Sequence, residues 1–115
     1  MNVAFGKTSI SYNDYFGRPD GAKGQPMAGY SRPHYAHGQI DEICARAILI
    51  ETNFLGNIKK RVLLISLDLL MVPLKLSNYI KEKINEHTPF GCGIGQGQIM
   101  VHGIHTHSAP EVTGM

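Results

Sequence analysis

Two runs of apolar residues dominate the hydrophobic pattern of the chain. Residues 43–50 and 62–67 carry apolar side chains at nearly every position, with Arg46 as the exception in the first run. A strand that is covered on both faces of a sheet has this pattern, because neither face is left for polar side chains. The pattern therefore predicts two strands, with 62–67 central in its sheet, and a turn over residues 52–60, which contain Gly56-Asn57.

A helical period follows the second run. Leu76, Ile80 and Ile84 recur at a spacing of four residues, which indicates one apolar helix face. Pro73 occupies the place of a first helical residue, and Thr88-Pro89 ends the pattern. We predict a helix over residues 73–87, followed by a strand over 99–105 that lies parallel to 62–67 through a right-handed crossover.

The remaining segments complete the predicted fold. Residues 3–10 suit a short strand, and residues 11–38 contain most of the turn-forming glycines and prolines, which predicts a long and functional loop. Residues 91–97 have glycine at alternate positions but precede a strand, so we interpret them as a connector and not as a phosphate cradle. The prediction is an α/β (or α+β) domain over residues 1–115, with a βαβ core, a mixed sheet of three to four strands and one main helix, as part of a larger domain.

Composition narrows the classes of function. The chain of 115 residues is 43% hydrophobic and 17% charged, which is typical of a globular domain. A net charge of +2 with scattered basic residues argues against a nucleic-acid or membrane-surface partner. The longest apolar stretch, 62–72, is interrupted by Ser66 and Asp68 and is too short to span a bilayer.

The first residues and the cysteines bear on the cellular compartment. No signal peptide is visible at the start of the chain, and Cys44 and Cys92 are expected to be free thiols. These features favour the cytoplasm, with export as the alternative if a signal has been cleaved.

The chemistry that the sequence suggests is concentrated in His105-Thr106-His107. If the strand continues as far as His107, alternation puts both histidines on one face, together with Ile99, Val101 and Gly103. Two imidazoles at i and i+2 can share one metal ion, or one can bind the ion while the other faces a substrate. The alternative is a pair of solvated or hydrogen-bonded histidines. Catalytic zinc takes three protein ligands and an open position, so further ligands are required.

The other polar residues of interest can also be explained by structural roles such as capping, ion pairing or solvation. Ser108-Ala109-Pro110-Glu111 fits a capping box and predicts the start of a helix. Asp68 ends the central strand and is expected either to accept a hydrogen bond from one of the two histidines or to cap residues 69–71. Arg46 is expected to form a structural ion pair. His34 and His37 are expected to be solvated, and His87 to complement the helix dipole.

The histidine segment carries a family resemblance. His105-Thr106-His107-Ser108-Ala109-Pro110 resembles the Thr-His-Thr-His-Ser-(Gly/Ala)-Pro signature of the neutral/alkaline, non-lysosomal ceramidases. Three further segments are similar to that family in the same order and extend the resemblance over nearly the whole chain: Met27-Ala28-Gly29-Tyr30, Ala45-Arg46-Ala47 and Ser66-Leu67-Asp68.

The resemblance implies a zinc enzyme that hydrolyses a lipid or small-molecule N-acyl amide, with ceramide as the usual substrate. It implies that His105 is a zinc ligand, that His107 belongs to the catalytic pocket, and that Gly29 and Tyr30 border the substrate. It also implies that the remaining parent polypeptide completes the site. Ile104 departs from the family, which usually has threonine there. The competing hypothesis is a non-catalytic folded fragment or interaction module with an incomplete metal site.

Overall fold

The computed structural model of the protein describes residues 1–11, 26–32, 34–36, 40–54, 58–88 and 94–112. Within them lie four strands, β1 (Asn2–Ser9), β2 (Cys44–Phe54), β3 (Ile58–Leu67) and β4 (Ile99–Gly103). One α-helix, α1 (Leu74–His87), and a short 3-10 turn (Gln96–Gln98) connect β3 to β4. The predicted loop 11–38 falls partly outside the described residues, as does the glycine-rich connector, of which residues 91–93 are not described; the cysteine at 92 lies among these.

The strands form one mixed sheet in the order β1-β2-β3-β4. β1 pairs with β2, and β2 with β3, in antiparallel orientation, whereas β3 and β4 are parallel. The parallel pair is joined through α1, because parallel neighbours need a crossover and cannot be joined by a tight turn. The predicted βαβ core, the internal position of β3 and the α/β class are confirmed, while the hand of the crossover stays a prediction.

Several element boundaries differ from the sequence prediction by one or more residues. β2 and β3 extend through most of the segment predicted as a turn, since Phe54 is still paired with Ile58. Backbone pairing in a hairpin continues past the last buried side chain, so hydrophobicity alone underestimates its strands. β1 begins and ends one residue earlier than predicted, and α1 begins at Leu74 with Pro73 as its cap residue.

One face of the sheet packs against α1. The buried core contains Ile65, Leu67, Leu69, Ile94, Ile99 and Ala109. The predicted helix stripe of Leu76, Ile80 and Ile84 packs against this cluster. These three side chains are partly buried, so each contributes a fraction of the about 1.5–3 kcal/mol of a fully buried side chain, and together they hold α1 on the sheet.

No helix in these described ranges is long and apolar enough to cross a membrane.

Candidate metal and catalytic site

The candidate site lies beyond the carboxyl ends of β3 and β4. Because these strands are parallel, the segments that follow them leave from the same edge of the sheet. The amides of Ile104 and His105 donate hydrogen bonds to the carbonyls of Leu67 (3.2 Å) and Leu69 (3.1 Å). A Cβ on Gly103 would lie 2.9 Å from the carbonyl oxygen of Leu69, so a glycine is needed for this close approach.

The two histidines come together by a route that strand alternation does not predict. β4 ends at Gly103, not at residue 105, and His105 has a φ of 64°. The predicted strand end at residue 105 was therefore wrong by two residues, and the condition for a shared strand face, that the strand continues to His107, is not met. The rings nevertheless meet edge to face, with their centroids 5.2 Å apart.

An early segment of the chain packs against residues 109–111. The amide of Ala28 donates to the carbonyl of Ala109 (3.0 Å), and the amide of Glu111 donates to the carbonyl of Pro26 (2.7 Å). Met27 and Pro110 thus form an antiparallel bridge. The helix predicted from the capping-box pattern is therefore wrong for residues 108–112, because their backbone groups pair with this segment instead of with each other.

This pairing places Gly29 against His107. Gly29 has a φ of +82°, which a residue with a side chain rarely adopts. A Cβ at this position would overlap Nδ1 and Cε1 of the His107 ring. Gly29 is thus required both by its own backbone and by the position of the imidazole.

Tyr30 lies with its ring between two histidine rings, those of His107 and His34. Its ring meets the His107 ring edge to face, with centroids 5.9 Å apart. On its other side it stacks on His34, at 4.4 Å and an interplanar angle of 19°. His34 is solvent-exposed, as predicted, but sequence reasoning missed its place beside Tyr30. The sequence signal for this contact was limited to two aromatic rings four residues apart, at Tyr30 and His34. His37 lies outside the described residues.

Asp68 is bonded to β2. Its Oδ2 accepts a hydrogen bond from the amide of Cys44 (2.9 Å), and its Oδ1 accepts one from Arg46 at 2.6 Å. The predicted structural ion pair of Arg46 is confirmed, with Asp68 as its partner. Among the described residues no hydrogen bond joins Asp68 to His105 or His107, so its part in the site stays a prediction.

A cavity of about 1350 Å³ adjoins the histidine segment without being lined by the two imidazoles. Its described lining includes Ile104, Thr106 and Ser108, which alternate with the histidines along the chain. Cys44, a buried free thiol, and the Arg46–Asp68 pair also contribute to its wall.

Imidazole nitrogens are suitable zinc ligands, and His105 and His107 are both exposed and able to offer one each. Within the described ranges, however, no three His, Cys, Asp or Glu side chains are grouped closely enough to hold a metal ion. The residues therefore fit part of a catalytic zinc site and not a complete one.

Comparisons of the chain with protein-family models, with curated proteins and with solved structures found no match.

Proposed function

We propose that this chain contributes part of the active site of a zinc-dependent amide hydrolase of the neutral ceramidase type, which cleaves N-acyl amides such as ceramide to a fatty acid and sphingosine. One observation carries the proposal. Two motifs that lie far apart in the sequence, Gly29-Tyr30 and His105-Thr106-His107, contact each other through the His107 ring. The resemblance selected both motifs for one substrate pocket.

The proposal gives each residue a separate task. His105 would supply an imidazole nitrogen to a zinc ion, and the chemistry that the ion would provide when bound is a more acidic water molecule and a polarised amide carbonyl. His107 donates a hydrogen bond to the charge that develops on the reacting amide. Tyr30 holds the His107 ring by its edge contact, and Gly29 allows the backbone to approach that ring closely.

A second candidate function has its own support. Two imidazoles without a third nearby ligand in the described residues are what a non-catalytic module with an incomplete metal site would have. Under this alternative, Gly29, Tyr30 and the histidines form a packed corner of the fold and bind no substrate.

Activity and metal content of the full-length gene product separate the two candidates. We expect hydrolysis of one or more members of a panel of N-acyl amides, loss of activity with a chelator, and recovery with zinc. His105→Ala should remove activity and zinc together. His102→Ala should change neither, because His102 is exposed on β4 and its one hydrogen-bond partner among the described residues is the adjacent carbonyl of Gly103. Absence of hydrolysis by a folded, zinc-supplemented protein over the whole panel would favour the non-catalytic module.

A further inference from the structure

The sheet has a second face that α1 does not cover. Side chains alternate between the two faces of a strand, and on this second face the pairing aligns four apolar residues across the sheet: Phe5, Ile48, Leu64 and Met100. The two side chains on the edge strands are largely open to solvent, with Phe5 78% and Met100 59% exposed.

A second apolar row lies beside the first. Val3, Ile50 and Val62 are aligned by the same pairing, and Val3 and Val62 are 45% and 44% exposed. We call these two rows together the open face. None of its residues belongs to the core cluster or to the residues packed against it. A contiguous exposed apolar patch of this kind marks an interaction site, and strands that are apolar on both faces are typical of sheets covered on both sides.

Basic residues border the open face on both of its long sides. The row on one side contains Lys7, Arg46, Ser66 and His102. On the other side Thr52 is paired with Lys60. Neither row has an acidic residue, but the Asp68 carboxylate at the end of β3 neutralises Arg46 through an ion pair of 2.6 Å. Within the described residues, Lys7 and Lys60 are therefore the two basic side chains of these rows without an ion-pair partner.

The dimensions of the open face match those of a helix. Two rows on one face are about 7 Å apart along the strands, and with their side chains they form a band about 10 Å wide, close to the roughly 10–12 Å diameter of an α-helix. Across the sheet, four strands span about 14 Å between the outer strand axes, which is the length of roughly ten helical residues.

We infer that the open face binds an amphipathic α-helix of a partner, with an apolar stripe on the sheet and Asp or Glu residues along both flanks of that stripe. Acidic flanks would meet Lys7 on one border and Lys60 on the other. A second copy of this chain is a poorer occupant, because stacking two open faces offers basic borders to basic borders.

The inference can be tested on the chain with a designed helix as the probe. A stapled peptide of about 14 residues, or about four turns, carries a leucine stripe with glutamates on both flanks; its control has lysines in place of the glutamates. We expect fluorescence anisotropy to show the glutamate peptide binding at least about tenfold more tightly than the lysine peptide, with the preference weakening at high salt.

Variants of the open face identify the binding surface. Phe5→Asp should weaken binding of the glutamate peptide at least about tenfold, and Lys7→Glu with Lys60→Glu should reverse the preference between the peptides. The matched control is Leu74→Asp, which changes an equally exposed apolar residue, 76% exposed, on α1, where the start of a helix tolerates an acidic residue.

Three results would overturn the inference: equal affinity for both peptides, binding that Phe5→Asp leaves unchanged, or no peptide binding at all. Light scattering and flotation with phosphatidylserine vesicles accompany the assay. Self-association or vesicle binding that Phe5→Asp abolishes, without peptide binding, assigns the face to a second copy or to a lipid surface and refutes the helix.

Discussion

Gly29 offers the sharpest test of how the candidate site is built. In Gly29→Ala the new residue must keep a φ of +82° and place its Cβ within the His107 ring. The left-handed backbone costs about 1–2 kcal/mol for a residue with a side chain, and forcing a methyl group into an occupied position costs about 1–3 kcal/mol. We therefore expect the free energy of unfolding to fall by about 2–5 kcal/mol.

A double-mutant cycle with His107 separates the two costs. His107→Ala removes the ring that the new Cβ would overlap. The left-handed backbone at residue 29 remains unfavourable for alanine, so in that background Gly29→Ala should lower the free energy of unfolding by only about 1–2 kcal/mol. The difference between the two backgrounds measures the steric coupling directly. If Gly29→Ala alone fails to fold, recovery of folding in the double variant gives the same answer.

The measurement is urea unfolding followed by far-UV circular dichroism, since the chain contains no tryptophan. Gly6→Ala is the matched control: a Cβ on Gly6 has no atom within 4 Å, so this change should stay within about 0.5 kcal/mol. The reasoning is refuted if Gly29→Ala is as mild as Gly6→Ala, or if its cost is the same with and without the His107 ring.

Further predictions concern the ends of the strands and the metal. Asp68→Ala leaves the Cys44 amide without its acceptor and should lower the free energy of unfolding by about 1–3 kcal/mol. Arg46→Ala should lower it by no more than about 1 kcal/mol, because the Arg46 side chain is 47% exposed. Equal losses for the two variants in chemical denaturation would contradict this. Gly103→Ala should cost about 1–3 kcal/mol in the same assay, since its Cβ would press on the Leu69 carbonyl. The chain of residues 1–115 should bind zinc weakly and show no turnover, and stoichiometric zinc after dialysis would argue against this. In the full-length protein, His105→Ala should lose zinc and activity together, while His107→Ala should lose activity and retain more metal; equal zinc loss, measured by elemental analysis, would make both rings ligands.

Four candidate site residues could be identified from the sequence, because they lie in short motifs that resemble a known family: Gly29, Tyr30, His105 and His107. Their mutual contact could not be predicted, because Gly29 reaches His107 through the pairing of residues 26–28 with 109–111. His34 had no motif of its own, and its stacking on Tyr30 depends on the same folded segment.

The sequence by itself determined the strands and the helix, because the hydrophobic period that distinguishes them is a local property of the chain. It also determined the order in which β3, α1 and β4 form a parallel crossover. Tertiary structure decided the geometry at the ends of these elements. The left-handed turn at His105, the pairing that replaced the predicted helix after Ser108, and the bonding of Asp68 to β2 each depend on a backbone or side-chain group from a distant part of the chain. Hydrogen bonding to such a distant group competes with the local preference for a strand, a helix or a cap. A local sequence pattern does not predict which distant group will be the partner.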